Sequence, residues 1–167
     1  SEAQNLTSNL LKMGLQRIGD NTKVIIDGDY HQQIDLDVYA IDKNPIDLPV
    51  KKAYQADLSN KEEIDKVIKD LPSKIDALFL CHGIAAFPGR ELLVQKVNFY
   101  SQKYMTEQLL DRISEHGSIT YIASVGGFGW QQEYESAVEL INIPTWEEAM
   151  DWYDKHPELI QSAYVFA

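Results

Sequence analysis

Residues 75–83, IDALFLCHG, decide the fold. Ile75, Ala77, Leu78, Phe79, Leu80 and Cys81 form a strongly apolar run closed by Gly83, too short for a globular helix, so it reads as a strand. Working downstream, a helical pattern runs from about Gly89 to Ile113. Leu93, Val97, Tyr100 and Tyr104 fall at 3–4 spacing, and Met105, Leu109 and Ile113 extend the stripe. SITYIAS (Ser118 to Ser124) reads as a second apolar strand, followed by the turn GGFG. Working upstream, Ser59-Asn60-Lys61-Glu62 has a capping-box pattern. It opens a helix with Ile64, Val67, Ile68 and Leu71 on one face and Pro72 beyond its end. Before it, KVII (Lys23 to Ile26), DVYAID (Asp37 to Asp42) and AYQAD (Ala53 to Asp57) read as strands. Two further helices are expected, near Gln131 to Ile141 and over Thr145 to Lys155. The second carries its own capping box, Thr145 with Glu148. Strands alternating with helices predict an α/β fold with a mostly parallel sheet, and such sheets bind ligands at the carboxyl ends of their strands.

The bulk numbers narrow the function classes. A chain of 167 residues that is 44% hydrophobic fits one domain with a real core, expected to span 1–167. A formal net charge of -11 argues against nucleic acid and anionic membrane surfaces as partners. The single cysteine, Cys81, rules out an internal disulfide. There is no basic segment followed by an apolar signal core, and no apolar run long enough to span a bilayer, so the expected location is cytoplasmic.

The residues just after each strand carry the candidate chemistry. Asp42 ends VYAID. In a dinucleotide-binding fold an acid there bonds the adenosine ribose hydroxyls and repels a 2′-phosphate, favouring NAD over NADP; Lys43 weakens that preference. The equal alternative is a turn or cap aspartate. Asp57-Leu58 ends the third strand, where the acid would accept from an adenine amino group and the leucine pack on the ring; a helix-start aspartate fits as well. Cys81-His82-Gly83 follows the fourth strand. Gly83 lets backbone pass close to a ligand, His82 is polar lining or a loop residue, and Cys81 reads as a small buried filler. Asn98 lies mid-helix between Val97 and Phe99, which suggests partial burial and a specific role. Ser124 ends the fifth strand, and Tyr164 offers a phenol as proton donor.

VYAID, ADLSN, LFLCHG, KVNF, GSITYIAS and AYVFA occur in that order, and together they resemble the short-chain dehydrogenase/reductase family over roughly Asp37 to Ala167. The resemblance implies a Rossmann-type doubly wound parallel sheet and a Ser, Tyr, Lys and Asn catalytic set. Ser124 would orient the substrate oxygen, Tyr164 would transfer the proton, and Asn98 would hold a water in the proton relay. Asp42, Asp57 and Leu58 would hold the adenosine half of NAD, and the segment Cys81, His82 and Gly83 would line it, with Gly83 beside the adenine ribose. The long separation of Ser124 from Tyr164 is similar to the branch that includes 3α-hydroxysteroid and coniferyl-alcohol dehydrogenases. In that branch Trp130, Trp146 and Trp152 would wall an apolar substrate; packing in the core is the alternative for Trp146 and Trp152.

The sequence departs from the pattern twice. Asp27 to Asp37 holds one glycine where the family carries TGxxxGxG, whose backbone N–H groups hold the pyrophosphate. The lysine that would lower the Tyr164 pKa would follow Ala167. The Rossmann-type domain is therefore expected to be incomplete in this chain, and the fragment itself inactive. The expected activity is NAD-dependent interconversion of a hydrophobic secondary alcohol and a ketone, in a homodimer or homotetramer, with no metal. An inactive relative acting as a binding module and an S-adenosylmethionine-dependent methyltransferase are the alternatives.

Overall fold

The computed structural model describes residues 37–86, 88–128 and 130–160. The expected strand at Lys23 to Ile26 and the candidate Tyr164 lie outside them. The chain divides between Gln55 and Ala56 into two compact units.

In the first unit, β1 (Tyr39–Asp42) pairs in parallel with β2 (Lys52–Gln55), with Ala40 opposite Ala53 and Asp42 opposite Gln55. Both strands are shorter than the sequence suggests. Asp37 lies before β1 and is drawn into an ion pair with Lys51. Ala56 and Asp57 lie beyond β2. The link between the strands carries Pro45 and Pro49, which disfavour a helix.

The second unit opens with α1 (Lys61–Asp70). Its apolar face buries Ile64, Val67 and Ile68, each contributing roughly 1.5–3 kcal/mol. The expected cap is shifted by one residue. Asn60, not Ser59, is the N-cap, and its side chain accepts from Glu63 N at 3.2 Å. The Glu63 carboxylate accepts from Asp57 N at 2.7 Å, so the reciprocal bond of a capping box goes to the preceding turn instead.

β3 (Ile75–Leu80) pairs in parallel with β4 (Ile113–Tyr121), with Leu78 opposite Ile119 and Leu80 opposite Tyr121. Ile113 belongs to β4, not to the end of the long helix. It pairs with Ile75, whereas Ala77 pairs with Ser118, so the residues between them on β4 bulge. Gly117 is required in that bulge, because a Cβ there would lie 2.7 Å from Ile113 Cγ2 and 3.1 Å from Asp76 O.

The long helix is three segments: α2 (Glu91–Gln95), a π-helical turn (Lys96–Tyr100) and α3 (Ser101–Leu109). A 3-10 turn, Leu110–Arg112, then leads into β4. α1 and α3 pack together. Tyr104 Oη donates to Asp65 Oδ1 at 2.6 Å, and Arg112 Nη1 donates to Ile68 O and Leu71 O at 2.8 and 3.1 Å.

After β4 come 3-10 turns at Val125–Gly127 and Trp130–Glu133, then α4 (Tyr134–Ile141), α5 (Trp146–Lys155) and α6 (Pro157–Ile160). Thr145 caps α5 as expected, accepting from Glu148 N at 3.2 Å. α5 is anchored by its aromatic residues. The Trp146 ring meets Tyr100 and Tyr104 edge-on at 5.3 and 5.7 Å, and Tyr153 Oη donates to the buried Gln95 at 3.0 Å. Burial pushes the Tyr100 and Tyr153 phenols up, so both serve as neutral donors.

Candidate functional site

Parallel pairing sends the chain out of β3 and β4 at the same sheet edge. Ile122 N still bonds Leu80 O at 3.3 Å, so Cys81 to Ile84 and Ala123-Ser124 leave from neighbouring positions.

The segment after β3 is tied to the long helix. Asn98, at the centre of the π-helical turn, makes two bonds to one residue. Ile84 N donates to its Oδ1 at 2.8 Å, and its Nδ2 donates to Ile84 O at 2.9 Å. The half-buried, engaged asparagine expected from the sequence is therefore present, and its partner is Ile84. Gln102 Nε2 donates to His82 O at 2.9 Å, and His82 Nε2 lies 2.8 Å from Ser101 Oγ. His82 and Cys81 are half-buried. Gly83 is exposed between the two anchored residues, and a Cβ there would make only ordinary contact with Asn98 Oδ1, at 3.5 Å. Packing among the described residues thus leaves this backbone open to approach.

Ser124 does not end a strand as expected: β4 stops at Tyr121, and Ser124 caps the 3-10 turn that follows. It is exposed, and its Oγ accepts from Gly126 N at 3.1 Å. Val125 and Phe128 beside it are 80% and 84% exposed.

Asp42 ends β1 as expected and is exposed. Its Oδ1 accepts from Asn44 N at 2.8 Å and Asn44 Nδ2 at 3.3 Å, which is the turn role weighed for it. Asp57 is half-buried, with its Oδ1 accepting from Ser59 N at 2.9 Å and Ser59 Oγ at 2.6 Å. Leu58 is only 7% exposed, so it presents little surface to a ligand. A shallow polar cavity of about 340 Å³ adjoins this turn, lined by Asp57, Asn60, Lys61, Lys96 and Trp146 among others.

Of the tryptophans, Trp146 and Trp152 are each 6% exposed and belong to the core, whereas Trp130 is 51% exposed and leans on Tyr134 at 5.9 Å. No group of residues able to hold a metal ion occurs among the described residues, and no described helix is long and apolar enough to cross a membrane. Sequence reading missed Ile84, Ser101 and Gln102. Their roles depend on backbone groups and on the π-helical turn, neither of which has a side-chain pattern that marks it.

The comparisons with known proteins converge on one family, with one exception. A family model described as PhoH-like protein matches residues 1–70, less than half of the chain. Over 131 residues, 77% of this chain and 50% of the relative, the sequence is 37% identical to coniferyl-alcohol dehydrogenase of Pseudomonas sp. strain HR199. The two matches must overlap, since the chain beyond residue 70 is shorter than 131 residues, and the longer one carries the assignment. The crystal structure of the 3α-hydroxysteroid dehydrogenase from Pseudomonas sp. B-0831, complexed with NADH, matches with a TM-score of 0.55 at 17% identity, covering 75% of this chain and 49% of that one. That likeness speaks to the fold, which is Rossmann-type α/β. The chain spans about half the length of each of these two proteins. By its sequence and its fold, the chain is related to the short-chain dehydrogenase/reductase family.

Proposed function

We propose that the full-length protein is an NAD-dependent oxidoreductase that interconverts a hydrophobic secondary alcohol and a ketone. The observation that carries this reading is the shared edge of β3 and β4, where a loop clamped by Asn98 and the segment leading to Ser124 leave neighbouring strands. The sequence likeness to a coniferyl-alcohol dehydrogenase supports the same class of chemistry.

The residues present suit the adenosine half of a dinucleotide in part. Taken by itself, the second unit has exposed backbone with room beside it at Gly83 and a polar cavity beside the Asp57 turn; the first unit, taken by itself, offers the exposed Asp42 carboxylate at a strand end. Leu58 suits it less, because it is buried. When bound, the nicotinamide supplies the hydride acceptor or donor. Asp42 would bond the ribose hydroxyls and disfavour NADP through repulsion of a 2′-phosphate. Ser124 would turn its hydroxyl from Gly126 N to the substrate oxygen, Tyr164 would transfer the proton, and Asn98 would hold a water of the relay with its remaining hydrogen-bonding capacity. Trp130, exposed after Ser124, would shield an apolar substrate. The assembly would be a homodimer or homotetramer, cytoplasmic, with neither nucleic acid nor membrane as partner.

Tyr164→Phe tests the assignment. With a panel of steroid-like and aromatic secondary alcohols, turnover should fall at least about 100-fold while the thermal transition is unchanged. Activity that survives the change would remove Tyr164 from the proton transfer.

A further inference from the structure

The π-helical turn leaves a hydrogen-bonding gap that one side chain closes. In a regular α-helix, Val97 O would accept from Ser101 N. Here Ser101 N donates one residue further back, to Lys96 O, the i→i−5 pattern of a π turn. Val97 O receives the Ser101 hydroxyl instead, at 2.9 Å. Ser101 is fully buried, so its own hydroxyl must be satisfied by protein groups. A hydroxyl has a single proton. With that proton on Val97 O, Ser101 Oγ must accept at 2.8 Å from His82 Nε2, which therefore carries a hydrogen. His82 is held in turn by Gln102 Nε2 on its carbonyl. The turn so completed contains Asn98, whose two bonds to Ile84 need its side chain to leave the helix at this rotation. Removing the extra residue of the turn would rotate Asn98 by roughly 100° relative to α3.

We propose that Ser101 is a positioning residue for Asn98. Its hydroxyl replaces the backbone donor that the π-helical turn diverts, and His82 donates to that hydroxyl. The pair keeps Asn98 aimed at Ile84. This rests on the reading of Asn98 as part of a proton relay only where activity is concerned; the placement itself is independent of it.

Amide hydrogen exchange by NMR on the full-length protein reads the placement directly, because Ile84 N–H is the donor to Asn98 Oδ1. In Ser101→Ala, Ile84 should exchange about five- to tenfold faster, while Leu71, which bonds Val67 O within α1, keeps its wild-type rate. Ser101→Thr, which restores a hydroxyl, should return Ile84 to within about twofold of wild type. Unchanged Ile84 protection in Ser101→Ala overturns the proposal, as does a failure of threonine to rescue. Should Ser101→Ala not fold, His82→Phe removes the donor to Oγ and keeps the backbone carbonyl that Gln102 bonds. It should speed Ile84 exchange about two- to threefold, and no change there is equally fatal. With an active protein, Ser101→Ala should lower kcat with KM for the alcohol unaltered. An inactive wild type would end the proposed function yet leave the exchange result to decide this inference.

Discussion

The two strand ends at the candidate site are built in opposite ways. After β3, the chain is stitched to the long helix through His82 and Ile84, and only Gly83 between them stands open. After β4, Ser124 is held by its own turn, and Val125, Phe128 and Trp130 stand in solvent. The first end is preorganised by packing. The second is held by the Ser124 turn and leaves the Val125 and Phe128 side chains largely exposed. An enzyme of the proposed class would need both: a fixed relay residue, and a serine edge that closes on substrate.

Substitutions on the two sides should separate sharply. Trp146 wedges against Tyr100 and Tyr104, which follow Asn98 on the long helix, so Trp146→Ala should cost about 3–5 kcal/mol in chemical denaturation. Trp130→Ala on the open side should stay within about 0.5 kcal/mol. Comparable losses at both would erase the contrast. One step smaller, Asn98→Ala strands the Ile84 amide and carbonyl and should cost roughly 1–3 kcal/mol. Ser124→Ala should be near neutral for stability, at most about 0.5 kcal/mol, yet lower turnover strongly.

Behind the stitched loop, the α1–α3 contact adds a pH-dependent increment. Partial burial pushes the Asp65 carboxyl up, but the bonds from Tyr104 and Lys61 outweigh it and hold the group below its usual range. A carboxyl depressed in the folded state stabilises at pH above its unfolded value and loses that contribution as pH falls through the folded value. Asp65→Asn should therefore be less stable at neutral pH by under about 1 kcal/mol, discounted because the carboxylate is 44% exposed. The two stability curves should converge below about pH 4. Curves that stay parallel would show that the ionised carboxylate is not what binds the helices. Gly83→Ala should likewise stay within about 0.5 kcal/mol for folding, because the added methyl meets Asn98 Oδ1 at an ordinary distance. Weaker NADH binding in this variant would show that a ligand uses the space.

Much of this was legible in the sequence where a side-chain pattern enforces the structure. The Ile64, Val67 and Ile68 stripe marks α1, the apolar run at 75–80 marks β3, and Thr145 with Glu148 marks the start of α5. It failed where backbone decides. Ile113 continues the helical stripe by spacing, yet the 3-10 turn at Leu110–Arg112 ends the helix and places Ile113 opposite Ile75 in the sheet. Ser59 and Asn60 are both good caps, and only the geometry of the Asp57 turn selects Asn60, because Asp57 already engages Ser59. At the site, Asn98 stood out because an asparagine inside an apolar helical face is costly without a partner. Ser101 did not, because a serine one turn from it looks like any helix serine until the π-helical turn diverts its N–H.

The central claim is that the edge shared by β3 and β4 serves a nicotinamide cofactor. Calorimetric titration of the full-length protein with NADH tests it most directly, with NADPH and S-adenosylmethionine run in parallel. The account predicts saturable binding of NADH, weaker binding of NADPH, and a narrowing of that difference in Asp42→Ala. Saturable binding of S-adenosylmethionine with none of NADH, or no binding of either, would contradict it.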